Sequence, residues 1–187
     1  MSYNCIDYNC TDELPDHTTN ECNESLNGGI SGIIVGNCGS PMTDPSNAAA
    51  ILVEIAAGRA HKIEGIKVGL DQPSAATQPS NLVGGTDVLS SYNRTGTLID
   101  GNVSQGNVDF YNSLFDGRSF GWAILFIKGT EDSTGGAQVL FIDSRITWTG
   151  GLLVPNNDDT VMTFNGTFAW RKKQGPTMWD APSGIFS

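Results

Sequence analysis

Phe120-Gly121-Trp122-Ala123-Ile124-Leu125-Phe126-Ile127 holds an unbroken apolar run from Trp122 to Ile127. An extended chain points alternate side chains to opposite faces, so both faces of this segment must be dry. Apolar runs of this length, rich in aromatic and β-branched residues and bounded by turn signals, predict a fully buried strand. Gly117 and Gly121 lie at its start, and the polar stretch from Lys128 to Gly136 follows it.

Outward from that strand, the chain reads as short strands joined by turns. Ile30 to Val35, between Gly28-Gly29 and Gly36, is a first strand. Asp44-Pro45 has the form of a helix start, Asp44 as N-cap and Pro45 in the first turn, leading a helix over Ser46–Ala57 that Gly58 ends. A strand over Ile51–Ile55 is the competing reading, because of its β-branched residues. Lys62 to Leu70 alternates as a strand, and Asp71 to Gly85 reads as a long Pro/Ser/Gln loop of the kind held by a partner. Asp87–Tyr92 and Thr95–Val103 are strands about a turn at Asn93-Arg94. Ser104 to Phe115 is a second helix, with Val108, Tyr111, Leu114 and Phe115 on one face. Ala137–Thr149 alternates Leu140, Ile142, Ile146 and Trp148 against polar residues, and Gly150 to Asp159 turns the chain. Thr160 to Arg171 sets Met162, Phe164, Phe168 and Trp170 against Thr163, Asn165, Thr167 and Arg171. The expected fold is mainly β: an antiparallel β-sandwich or barrel with one or two flanking α-helices and extended terminal arms.

The 187 residues divide into an acidic, Cys-containing N-terminal arm (1–27), a single β-rich domain (28–174) and a C-terminal interface tail (175–187). The arm carries Asp7, Asp12, Glu13, Asp16, Glu21 and Glu24 and no Lys or Arg, so −6 of the net charge of −10 sits there. Arg171-Lys172-Lys173 is the one basic cluster. Such a balance argues against DNA binding by phosphate neutralisation. The chain has no apolar run long enough to span a bilayer and no basic-then-apolar secretory start, which predicts a chain made in a cytosol with no membrane partner. Tyr3 and Tyr8 in the arm, with Met178, Trp179, Ile185 and Phe186 in the tail, suit ends that clasp a partner.

No catalytic, cofactor or metal site emerges. Only two histidines exist, and no Gly-x-Ser-x-Gly, His-Glu-x-x-His or phosphate-cradling Gly loop with Lys is present, so no enzyme is expected. Cys5, Cys10, His17 and Cys22 are spaced Cys-x4-Cys-x6-His-x4-Cys, lacking a Cys-x2-Cys pair, and Cys38 stands apart. Free thiols are expected there, with disulfides or a metal as alternatives. His61, at a strand start, reads as a surface or interface residue. Asp100-Gly101-Asn102-Val103-Ser104 begins like a calcium loop, but its sixth position is Gln105 and its twelfth Tyr111, which predicts no calcium.

Small size, acidity, sheets with a flanking helix, a long arm and loop, and the lack of an active site together resemble phage virion proteins, in particular tail-tube proteins. The helix-then-meander portion, Ser104 to Arg171, carries the resemblance over about a third of the chain and contains no diagnostic motif. The resemblance implies a structural homo-oligomer, hexameric rings stacking into a tube with other virion proteins, assembled in the host cytoplasm. It also implies a lumen that double-stranded DNA passes through without specific binding. A head–tail adaptor ring or capsid decoration protein is the nearest alternative. A carbohydrate-binding or adhesive β-sandwich is another, and it requires Trp122, Trp148 or Trp170 exposed on a sheet face.

Overall fold

The Phe120–Ile127 run lies at the centre of the fold, as the strand β5 (Ser119–Ile127). The computed structural model describes residues 29–72, 74–78, 88–116, 119–127, 138–156, 161–172 and 175–185. The expected N-terminal arm, 1–27, with Cys5, Cys10, His17 and Cys22, lies outside them. Among the described residues, seven further strands and two helices surround β5: β1 (Ile30–Asn37), α1 (Ala48–Ala56), β2 (Ala60–Leu70), β3 (Ser74–Gln78), β4 (Val88–Asp100), α2 (Gln105–Phe115), β6 (Gln138–Leu153), β7 (Thr163–Arg171) and β8 (Thr177–Asp180). The fold is mainly β, and every strand pairing is antiparallel.

Neighbours run β2–β1–β5–β6–β7–β4, and β4 pairs back onto β2 through Lys67↔Ile99 to Leu70↔Gly96. Six strands therefore close into a barrel, which removes most of the open edge. Its two longest strands overrun it. β6 pairs with β7 along its second half and with β8 along its first four residues. β4 pairs with β2 and β7 near its end and with β3 near its start.

Strand alternation divides the β5 side chains between two cores, and a register slip against β6 between Phe120 and Trp122 puts Phe120 on the same side as Ala123 and Leu125. Phe120, Ala123 and Leu125 face the barrel interior with Ile33, Val35, Ile63, Leu98, Ile142, Ile146, Trp148, Phe164, Phe168 and Trp170. Trp122 and Ile124 face outward into a second cluster with Ile34, Met42, Ile51, Val139, Phe141 and Ile185. α1 and the C-terminal segment cover that outer cluster, so both faces of β5 are dry, as its sequence requires. α2 closes one end of the barrel by inserting Phe110, Tyr111 and Leu114 into the interior.

Several buried rings lie over strand glycines. Gly36 pairs with Trp122 and Gly96 with Phe168. A Cβ at Gly36 would come within 1.9 Å of the Trp122 ring, and one at Gly96 within 2.3 Å of Phe168. Phe115, from α2, occupies the space above the Gly150↔Gly166 pair in the same way. Trp148, Phe168 and Trp170 then form a continuous stack, with ring centroids 4.8 and 5.8 Å apart.

The structure corrects the sequence expectations where local signals competed. The α1 N-cap is Asn47, whose side chain accepts from Ala50 N, while Asp44 caps a preceding turn through Ser46. Gly58 does adopt the positive φ expected after the helix. Asn93-Arg94 is no turn: β4 runs through it, because the β7 pairing holds both residues extended. That strand stops at Asp100, ahead of Val103. Gly150 is no turn either, since β6 continues to Leu153 opposite Thr163. Part of the expected 71–85 loop is β3, and residues 79–85 lie outside the described residues. In β2, Gly65 at φ +68° breaks simple alternation and turns both Ile63 and Ile66 inward. The segment read as irregular, 175–182, contains β8, and Ile185 is buried in the outer cluster.

Gly96→Val should lower stability by about 1–3 kcal/mol through overpacking against Phe168, whereas Gly101→Ala, with nothing within 4 Å, should change it little. Urea unfolding measures both, and an unchanged Gly96→Val would contradict the ring-over-glycine account.

Candidate interaction surfaces

Among the described residues, the fully buried carboxylate, Asp100, is occupied in structural work. Asp100, fully buried at the end of β4, accepts from Tyr111 Oη at 2.8 Å and from Asn102 N at 2.7 Å. The residue at the twelfth position of the calcium-like segment thus engages the carboxylate at its first. Burial, then the adjacent Asp100 carboxylate, pushes the Tyr111 hydroxyl far above its ordinary range. Ser104 caps α2 by accepting from Asn107 N, and Asn107 Nδ2 donates to Asn102 O. This network fixes the entry of α2 so that its aromatic face meets the barrel.

His61 is buried opposite Val35, not at the surface as its sequence position suggested, because β2 begins at Ala60 and carries it into the sheet. Cys38 is half-buried, its thiol 3.5 Å from Ser119 O. Among the described residues no three His, Cys, Asp or Glu side chains come together as a metal set. Trp122, Trp148 and Trp170 are all buried, so none offers a sheet-face platform for a sugar ring.

Among the described residues, apolar side chains are exposed at three separate places. The first is the far end of the β6–β7 hairpin, where Leu152, Leu153, Val154, Val161 and Met162 are exposed, Val154 at 62% and Val161 at 74%. The second is the outer side of α1, with Leu52 and Val53. Only Ile51 of that helix is fully buried, and apart from Glu54 its residues are all apolar, so its outer side wants a cover. The third is β8, which pairs with β6 along one side and leaves Met178 and Trp179 outward.

Sequence reasoning picked out Met178 and Trp179, which are exposed, and Ile185, which is instead buried in the outer cluster, while Tyr3, Tyr8 and Phe186 lie outside the described residues. It missed the hairpin end, having read 150–159 as a turn and placed Met162 with the core aromatics. A usable signal was there: Leu152-Leu153-Val154 is an apolar run in a segment that no core reaches. Arg171 and Lys172 of the expected basic cluster lie at the opposite end of the same sheet. Lys172 donates to the Asp143 carbonyl at 2.8 Å, and Arg171 is exposed.

No family model, curated protein or solved structure matches the chain.

Beside the α1 surface, Arg59 clamps Glu54 through two hydrogen bonds of 2.9 Å and also reaches Ser40. These contacts, the Arg59 hydrogen bonds foremost, hold the Glu54 carboxyl down at about 2. A depressed carboxylate stabilises the fold above its ordinary value of 4.5 and loses that contribution as pH falls toward 2. The Tm difference between the wild type and Glu54→Gln, present at pH 7, should therefore vanish over that window. A difference constant across it would contradict the clamp.

Proposed function

We propose that this chain is a structural subunit that self-assembles, building rings that stack into a phage tail tube. One observation carries the reading: among the described residues, a barrel already filled with its own side chains leaves apolar side chains exposed at three separate places. A monomer gains nothing from such surface, and apolar patches rimmed by polar residues mark sites of protein association. Several patches on different sides of one subunit suit a chain that meets more than one neighbour. The specific form, hexameric rings around a lumen in a virion assembled in the host cytoplasm, rests on the resemblance of Ser104–Arg171 to tail-tube proteins.

The electrostatics favour the same reading. A net charge of −10 repels phosphates, so double-stranded DNA can slide past the assembled rings without sticking at each one. Catalysis is not part of the proposal, because the buried Asp100–Tyr111 pair is spent on anchoring α2.

Negative-stain electron microscopy of the purified chain over a concentration series should reveal rings that lengthen into hollow tubes. Rings of fixed copy number that never stack would favour the adaptor role. A species that stays monomeric throughout would contradict self-assembly.

A further inference from the structure

The barrel closes without the segment that follows β7. Its six strands run β2–β1–β5–β6–β7–β4 and back to β2, and β8 stands off that path, paired to β6. Val139 to Phe141 of β6 pair with β5 as well as with β8, so β8 lies on the side of β6 away from β5. β7 shares that side, because Ile146 and Thr147 pair with both β5 and β7. β7 and β8 therefore lie end to end along one side of β6. From Trp170↔Ile146 to Thr177↔Phe141 the chain takes seven residues where β6 takes five. Two residues of slack, in a joint that includes Gly175-Pro176, separate β8 from the strand it would otherwise continue.

Beyond that joint the segment is held at two points. All four β8 residues are exposed, so its hold there is the backbone ladder to β6. Further on, Pro182 is buried, Gly184 takes a φ of +77°, and Ile185 drops into the outer cluster at 4% exposure. Ile34, Trp122, Ile124, Val139 and Phe141 share that cluster with it. Lys62 Nζ donates to the Ile185 carbonyl at 3.1 Å, which fixes the depth of the plug. The Trp179 indole donates to Thr177 Oγ1, a bond that stays inside the segment. A four-residue ladder and one apolar plug are a light hold beside a barrel whose every strand has two neighbours. Units held this lightly open ahead of the rest of a fold.

We infer that residues 175–185 form a detachable strap, and that the groove under it accepts the same strap from a second copy of this chain. The groove has two parts, the β6 backbone at 138–141 and the socket that receives Ile185. Its occupant is fixed by what fills it already: an identical segment from another copy makes identical contacts. Exchange of an identical element needs no new interface chemistry, which makes it a low-cost route to association. Main-chain pairing supplies affinity and the side-chain socket supplies specificity, as in other recognition by strand addition. An unrelated strand would meet the ladder and miss the Ile185 socket. This deepens the self-assembly reading, since every copy then carries one strap and one groove.

Fluorescence anisotropy with a labelled synthetic peptide of residues 175–185 tests this. The full chain with Ile185→Asp loses its own plug, because a carboxylate is costly in an apolar socket, and should bind the peptide saturably. The wild type should bind it at least roughly tenfold more weakly, since its own strap competes at an effective concentration of about 1 mM. A peptide carrying Ile185→Asp should lose the binding to the variant. Failure of the variant to bind saturably, or equal binding of the two peptides, would overturn the inference. If Ile185→Asp lowers the Tm sharply, Ile185→Ser takes its place in the same measurement. Hydrogen exchange of the dispersed wild type gives a second readout: residues 177–180 should exchange through an opening that leaves β1 and β5 protected. Exchange of all three at one common rate would overturn the strap. Rings and tubes formed without peptide binding would remove the strap and leave self-assembly intact, whereas a chain that stays monomeric while its variant binds the peptide would do the reverse.

Discussion

Closure of the sheet through β2 and β4 imposes the constraint on which the rest of this structure depends. A six-stranded barrel has a fixed interior, and that interior must be filled without voids or overlaps. This chain fills it with large rings and makes room for them by deleting side chains from the strands opposite. Gly96 lies under Phe168, and Gly150 with Gly166 under Phe115, while Gly36 does the same for Trp122 in the outer cluster. Each ring shields a stretch of backbone that a glycine would otherwise leave bare. The abundance of glycine is thus partly a packing device within strands.

A filled barrel has consequences for function. Small-molecule binding and catalysis want a concave space with convergent polar groups. Here the convergent polar groups, Asp100, Tyr111, Asn102 and Asn107, are turned on one another to seat α2. Among the described residues, the apolar surface left exposed is on the outside: the ends of β6, the outer side of α1 and the face of β8. Strands longer than the barrel produce this arrangement. Where β6 overruns its closed portion, its side chains lose the interior that would bury them, yet they stay apolar. Retaining apolar residues at such positions is costly for a monomer and useful for a subunit.

Much of the architecture was legible in the sequence, because period and burial reinforced each other. β5 announced itself by apolar residues on both faces, β7 by strict alternation, and α2 by its one-sided stripe with Ser104 in front. Errors arose where a local turn signal met a pairing partner far away in sequence. Asn93-Arg94 and Gly150-Gly151 look like turns, and only the β7 ladder keeps them extended. Asp44-Pro45 looks like a helix start, yet Asn47 three residues on makes the cap. The interaction surfaces were harder to see. Exposure of Val161 or Leu152 depends on where the barrel ends, which follows from register and not from composition. Trp179 was found because an aromatic in a terminal segment has no assumed core, and Leu153 was missed because it was assigned to a turn.

Hydrogen–deuterium exchange compared between the assembled and the dispersed protein tests the central claim most directly. The account predicts new protection at one or more of the exposed apolar surfaces, residues 52–53, residues 152–156 with 161–162, and residues 177–180, with β1 and β5 equally protected in both states. Equal exchange at all three surfaces in the two states would contradict it.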